Sequence, residues 1–316
     1  MPRSSLRRPA RWTATVVAAC GLLVLGACGS GAATNVASDS GSAGRGTSTS
    51  TPALDPTLAQ ALPADVRASG QLRIVTDASY APASEFAPDG RTIVGFEPDL
   101  GAAIGAVLGL KVTFTPAGFD ELPGLVDSGQ ADLVMSAMTD TRKRQRDLDF
   151  VDYFSAGSTI VVQRGNPHAI TDLGDLCGHA VAVQRGTVQV DLLEHAQVNC
   201  MPGEPIRVRT YPTNDDALLQ LRTGRAAAVL NDYPPAVALT TDPTTGSRFQ
   251  LASTVQYEPG WYGIGVAKDR PELRNAVQGA LQDLLDSGHY LHVLRAWNVA
   301  DGAVQKATIN AGAGEN

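Results

Sequence analysis

Ser128-Gly129-Gln130-Ala131-Asp132-Leu133-Val134-Met135-Ser136 reads as a helix stop, a tight turn, a buried strand and a polar residue where the strand ends. The pattern returns 95 residues later as Thr223-Gly224-Arg225-Ala226-Ala227-Ala228-Val229-Leu230-Asn231. Two units of one construction predict two lobes. Open α/β sheets bind ligands just beyond the carboxyl ends of their strands. The residues to read are therefore those that follow, Ala137-Met138-Thr139 in the first unit and Asp232 in the second.

Outward from these units, short apolar or β-branched runs alternate with helical segments, as expected of an α/β chain. Strands are predicted at 72–76, 111–115, 131–136, 159–163, 180–184, 206–210, 226–231 and 262–266. Pro98 starts a helix that places Leu100, Ile104 and Leu108 on one face and stops at Gly109. Thr213 caps another, which ends at Gly224. Residues 271–297 read as two helices whose stripe of Val277, Leu281, Leu284 and Leu285 belongs to the core.

The polar residues after the strands form a coherent set: Asp77 with Tyr80, Thr139 with Arg144, Gly186 with Thr187, and Asn231 with Asp232. Arginine offers a carboxylate two parallel hydrogen bonds. A Gly-Thr turn opening a helix presents free N–H groups and a positive dipole end to the same kind of group. Asp232 and the Thr139 hydroxyl accept from an ammonium. Opposed binders of acid and base describe the head group of a free α-amino acid.

The 316 residues carry a net charge of −7 with 43% apolar residues, so the chain is globular and lacks the basic stripe that nucleic acid demands. Arg3, Arg7, Arg8 and Arg11 precede the apolar run 12–27, which is the layout of a secretory signal over residues 1–27 and is short for a membrane span. Leu25-Gly26-Ala27-Cys28 resembles the lipobox of bacterial lipoproteins. That resemblance implies a mature chain beginning at Cys28, which carries lipid, palmitate included, on the outer face of the cell membrane. The Gly, Ser, Ala and Thr that follow predict a flexible linker over 28–59. With Cys20 and Cys28 in the leader, Cys177 and Cys200 are expected to pair as a disulfide in an exported protein. No nucleotide-binding loop or nucleophile elbow is present, and His289 with His292 lacks the neighbours of a metal site. Neither cofactor nor metal is expected.

The chain resembles the extracellular solute-binding proteins, family 3, of polar amino acid ABC importers. The resemblance covers residues 70–299 and is carried by Leu72-Arg73-Ile74-Val75-Thr76-Asp77-Ala78-Ser79-Tyr80-Ala81-Pro82, Val94-Gly95-Phe96-Glu97-Pro98-Asp99-Leu100, 131–144, Val183-Gln184-Arg185-Gly186-Thr187 and Asn231-Asp232-Tyr233-Pro234. Where the family usually has Pro-Glu before the arginine, Arg142-Lys143 stand, and Ala83-Ser84-Glu85-Phe86 replace its usual Pro-Phe-Glu-Phe.

The resemblance implies a type II periplasmic-binding-protein fold, an α/β architecture of two lobes joined by a two-segment hinge. Lobe 1 is expected over 60–157 and 260–316, and lobe 2 over 158–259. It further implies that Arg144 and the Thr187 backbone, beside Gly186, hold an α-carboxylate, while Asp232, Thr139 and the Ala137 carbonyl hold an α-ammonium. Tyr80 and Phe119 would be aromatic walls, with Asp77, Gln184 and Asn231 reading the side chain. The implied partners are an amino acid, the permease and ATPase subunits of an ABC importer, and the membrane through Cys28, the protein itself being a monomer without enzymatic activity. The alternative is an exported cyclohexadienyl or prephenate-type dehydratase on the same fold.

Overall fold

The computed structural model describes residues 51–314. The signal, Cys28 and the linker up to residue 50 lie outside the described residues. The expected linker over 28–59 ends earlier than its composition suggests, because helix α1 (Pro56–Ala61) begins within it. Asp55 Oδ1 accepts the N–H groups of Thr57 and Leu58, proline occupies the first helical turn, and Leu58 packs against the first hydrophobic core.

A short α2 (Ala64–Ser69) leads into β1 (Gln71–Thr76). Then come a three-stranded hairpin sheet of β2 (Ser79–Tyr80), β3 (Ser84–Phe86) and β4 (Ile93–Val94), helix α3 (Phe96–Leu108), β5 (Lys111–Pro116), α4 (Leu122–Asp127) and β6 (Leu133–Val134). The 16-residue β7 (Leu148–Gln163) opens a second series: β8 (Ala180–Gln184), α5 (Val188–Ala196), β9 (Arg207–Tyr211), α6 (Asn214–Arg222), β10 (Ala228–Asp232), α7 (Tyr233–Thr241) and β11 (Phe249–Leu251). The chain returns through β12 (Tyr257–Ala267), α8 (Pro271–Ser287) and α9 (His289–Ala296) to β13 (Ala303–Ile309).

The main sheet runs β5-β1-β6-β12-β7-β10-β8-β9, with β11 and β13 also paired to β7. Its flanks are parallel, β1 with β5 and β6 on one side and β8 with β9 and β10 on the other. The middle is antiparallel: β7 pairs with β12 through its first part and with β10 through its last. The crossover segments that sequence reading places at 155–159 and 258–262 lie inside β7 and β12. The first continues as strand, while β12 carries an irregularity between Tyr257 and Gly260, where Glu258 takes φ +45°.

Four hydrophobic clusters cover the sheet. One pair, centred on Phe96, Tyr153 and Leu281 and on Leu122 and Phe150, draws only on buried residues up to 156 or from 262 onward. The other pair, centred on Val183 and Leu193 and on Leu221 and Val229, draws on buried residues from 160 to 249. In α3, Gly101 and Gly105 stand one turn apart where the helix meets β5. A Cβ on Gly105 would lie 2.9 Å from the Leu110 carbonyl oxygen, and one on Gly101 2.8 Å from the Phe114 ring. Cys177 and Cys200 form a disulfide with a Cα separation of 5.5 Å, tying the turn before β8 to the end of the 3-10 turn that follows α5.

The chain's end was not legible as structure. β13 lies along β7 and its Thr308 Oγ1 donates to Asp152 Oδ2; beyond the strand the Ala311 N–H donates to the same oxygen and the Gly312 N–H donates to Asp140 Oδ2 at 2.9 Å.

Candidate functional site

The pocket forms where the strand ends of the two halves face each other. Asp77 follows β1, Tyr80 lies in β2, Ser136, Ala137 and Thr139 follow β6, Arg144 opens a short 3-10 turn, and Phe119 stands before α4. The second half contributes Gln184 at the end of β8, Thr187, Val188 and Gln189 at the start of α5, and Asp232 at the end of β10. The space between them is about 10 Å³, close to the room one water needs.

Arg144 is the positive pole. Its Nη1 donates to the Thr139 carbonyl at 2.6 Å and its Nη2 to the Gly186 carbonyl at 3.0 Å. The guanidinium lies 5.4 Å from the centre of the Phe119 ring, close enough for a cation–π contact. Burial pushes the group down to about 10, against the pull of Asp232, Asp191 and Asp140. It remains charged at neutral pH.

Asp232 is the negative pole and is buried. Tyr80 donates its hydroxyl to Oδ2 at 2.9 Å and accepts the Asp232 N–H at 2.9 Å, while Gln189 donates to Oδ1 at 2.7 Å. Burial raises the carboxyl to about 6, opposed by Tyr262, Tyr80, Arg144 and Gln189 around it. Asp77 accepts from Gln184 across the cleft and from the Ser79 N–H at 2.9 Å. A further pair, Arg185 with Asp120 at 2.7 Å, also spans the two halves.

Behind the pocket sits Glu97, fully buried in the first turn of α3. It accepts the Ala137 N–H at 2.5 Å, the Ser84 hydroxyl at 2.7 Å and the Tyr153 hydroxyl. Burial raises this carboxyl, and its three donors oppose the shift. Ala137 has φ +46°, a left-handed conformation that L residues adopt at a cost of about 1–3 kcal/mol. The Glu97 acceptor helps hold it there.

Of the residues expected at the site, Asp77, Tyr80, Phe119, Ala137, Thr139, Arg144, Gln184, Thr187 and Asp232 line this one pocket. Gly186 meets it through its carbonyl, and its φ of +80° suits a glycine. Asn231 does not line it. Successive strand residues face opposite sides, so with Asp232 turned into the pocket Asn231 lines a separate groove. Sequence reading missed Ser136, Val188 and Gln189. Ser136 ends the strand run and could have been found by its position, whereas Gln189 is one polar residue among valines and becomes visible only through its distant partner Asp232.

Comparison with known proteins places this geometry. The family model for bacterial extracellular solute-binding proteins, family 3, matches residues 72–300. The arginine-binding protein ArgT of Corynebacterium glutamicum is 30% identical over 232 residues, covering 72% of this chain and 75% of that protein. The lysine/arginine/ornithine-binding periplasmic protein of Escherichia coli is 30% identical over 224 residues, covering 69% and 84% respectively. Among solved structures, an ancestral arginine-binding protein bound to arginine matches with a TM-score of 0.66 at 32% identity, covering 72% of this chain and 98% of that one. The ancestral amino acid-binding protein AncCDT-1, a precursor of cyclohexadienyl dehydratase, matches with a TM-score of 0.66 at 30% identity, covering 74% and 97%. All four are named as binding proteins, which does not favour the dehydratase alternative. The fold is the type II periplasmic-binding-protein fold, and the chain belongs to the bacterial extracellular solute-binding proteins, family 3.

Proposed function

We propose that the protein captures a free L-amino acid with a cationic side chain and hands it to an ABC importer. The observation that carries this reading is the juxtaposition of two opposite poles, half-buried Arg144 from one half and buried Asp232 from the other, in one pocket. Arg144 and the free N–H groups at the start of α5 suit the α-carboxylate, while Asp232, Thr139 and Ala137 suit the α-ammonium. Asp77, a buried carboxylate beside them, suits a positive side-chain end. The names of the relatives, binding proteins for arginine or for lysine, arginine and ornithine, support that class.

A free amino acid exceeds the present 10 Å³, so the halves must part to admit it. In this reading lobe 1 (60–157 with 260–316) and lobe 2 (158–259) turn about the middle of β7 and β12. The contacts that join the lobes, Gln184 on Asp77, Tyr80 on Asp232 and the Gly186 carbonyl on Arg144, occupy the groups that a ligand would use. Binding then exchanges protein–protein hydrogen bonds for protein–ligand ones, and a ligand that completes both poles favours closure. The closed, loaded form is what the permease and its ATPase would receive. Lipid on Cys28 would hold a monomer at the extracytoplasmic face of the membrane, and Cys28→Ala would release it into the soluble fraction.

Thermal unfolding of ligand-stripped protein against the common L-amino acids and prephenate tests the reading. Arginine, lysine or ornithine at 100 times its dissociation constant should add about 2.7 kcal/mol to stability. A shift with neutral amino acids alone would remove the role given to Asp77. No shift with any amino acid would overturn the head-group assignment, and consumption of prephenate would make the protein an enzyme.

A further inference from the structure

Alongside the pocket runs a much larger groove of about 1330 Å³. The two are lined from neighbouring positions: Ser79 and Asn231 face the groove where Tyr80 and Asp232 face the pocket. Glu85 and Trp297 wall it from the first half, Asn214 and Asp215 from the second, and the middle of β7 and β12 runs along it at Ser155 and Pro259.

Three features of the lining agree. Its ionisable side chains are carboxylates, Glu85, Asp215, Asp242 and Asp301, with tyrosine as the other titratable type; no lysine, arginine or histidine lines it among the described residues. Asp242 is engaged with the N–H groups of Thr244 and Thr245, but Glu85 and Asp215 have neither ion pair nor side-chain hydrogen bond among the described residues. Burial raises both carboxyls, and negative neighbours raise them further, Asp215 acting on Glu85, and Asp77 with Asp216 on Asp215.

Second, two amides line the groove with no hydrogen-bond partner in the protein among the described residues. Asn231 is 2% exposed and Asn214 5% exposed, both line the groove, and neither side chain has a hydrogen bond among the described residues. Their amide atoms open onto the groove, where the N–H or C=O of a ligand can replace water. Third, Trp261 and Trp297 supply aromatic surface, which attracts cations. The groove runs from Trp297 and Glu85 to Asn214 and Asp215, so it has room for an elongated occupant.

We propose that this groove is a second binding site, for a chain bearing two or more ammonium or guanidinium groups, with its charges against Glu85 and Asp215 and its polar N–H and C=O groups on Asn214 and Asn231. A short basic peptide and a polyamine share this chemistry. The site is separate from the amino acid pocket and uses none of that pocket's head-group residues.

Trp261 and Trp297 make the test direct. The chain has three tryptophans, and Trp12→Phe in the full-length protein leaves these two as reporters. Tri-arginine and spermidine, titrated separately at low salt, should each change the fluorescence saturably, with tri-glutamate silent and added salt weakening both. Glu85→Gln combined with Asp215→Asn should weaken the cations at least tenfold while arginine affinity, read by calorimetry, moves less than threefold. Asn214→Ala should weaken tri-arginine on a background that keeps all the charges. Saturation by one cation alone supports the site and identifies its source as peptide or polyamine. The proposal is overturned if neither cation saturates, if the charge-removed variant binds as tightly as the parent, or if Arg144→Ala abolishes cation binding, which would place the probes in the pocket. Loss of arginine binding with cation binding intact would sink the proposed function and leave this site standing.

Discussion

Arg144 holds two backbone carbonyls, one from each half of the molecule, and so does two jobs with one fork. Replacing it with alanine should weaken an amino acid about 100- to 1,000-fold, since hydrogen bonds to charged groups contribute about 1.5–3 kcal/mol each. Calorimetry on the variant checks this, and an unchanged melting midpoint without ligand separates binding from folding. Asp232 gives a pH signature. Its carboxyl is raised to about 6 from 3.8, so the folded state prefers the protonated form. Its contribution to stability is complete below the unfolded value and is lost as pH rises through about 6. Ligand-free Asp232→Asn should therefore be more stable than the parent at pH 7, with the gap closing by pH 4. Binding runs the other way: an ammonium needs the charged carboxylate, so affinity should fall as pH drops below about 6 in the parent and stay low and flat in the variant. The residues that sequence reading could find follow apolar runs, because the end of a strand is visible in the order of residue types. Which of two neighbours enters the pocket is not: Asn231 and Asp232 look equivalent until the pleat of β10 is known.

Among the elements, α3 shows packing overriding intrinsic propensity. Alanine is a better helix former than glycine by about 1 kcal/mol, yet Gly105→Ala should lower stability by about 1–2 kcal/mol, because the new methyl group would press on the Leu110 carbonyl and Val112. Chemical denaturation of the variant measures the sign. The disulfide closes a loop of 23 residues, and Cys200→Ser should cost about 3 kcal/mol by the chain-entropy argument, read as a lower unfolding midpoint. The helices and parallel strands were legible because their periods and stop signals are local. Three-residue β3, the two-residue β2 and β4, and β13 were not, since strands this short or this polar exist only through their partners. The passage of β7 through both halves was also hidden, because Ser155 to Thr159 has the composition of a connector and the extended conformation comes from pairing with β12 and β10.

At the scale of the whole molecule, the chain's end is stitched to its middle. Asp152 is fully buried, its Oδ1 meets no donor, and Asp140 stands beside it. Burial first, and the charge of Asp140 with it, raises the Asp152 carboxyl to about 7. The sign is again that of a raised acid: its stabilising contribution is lost as pH climbs through about 7, where Asp152 takes up its charge in a buried place. Hydrogen exchange of residues 303–314 should accelerate between pH 6 and pH 8 beyond the intrinsic rate, and Asp152→Asn should remove the excess.

The stitch also has a bearing on the pocket. Gly312 donates to Asp140, next to Thr139 and on the loop that leads to Arg144, so the pocket's positive pole is buttressed by the segment that follows β13. Loosening residues 308–312 would therefore reach the ligand site through Asp140 without touching any side chain that lines the pocket.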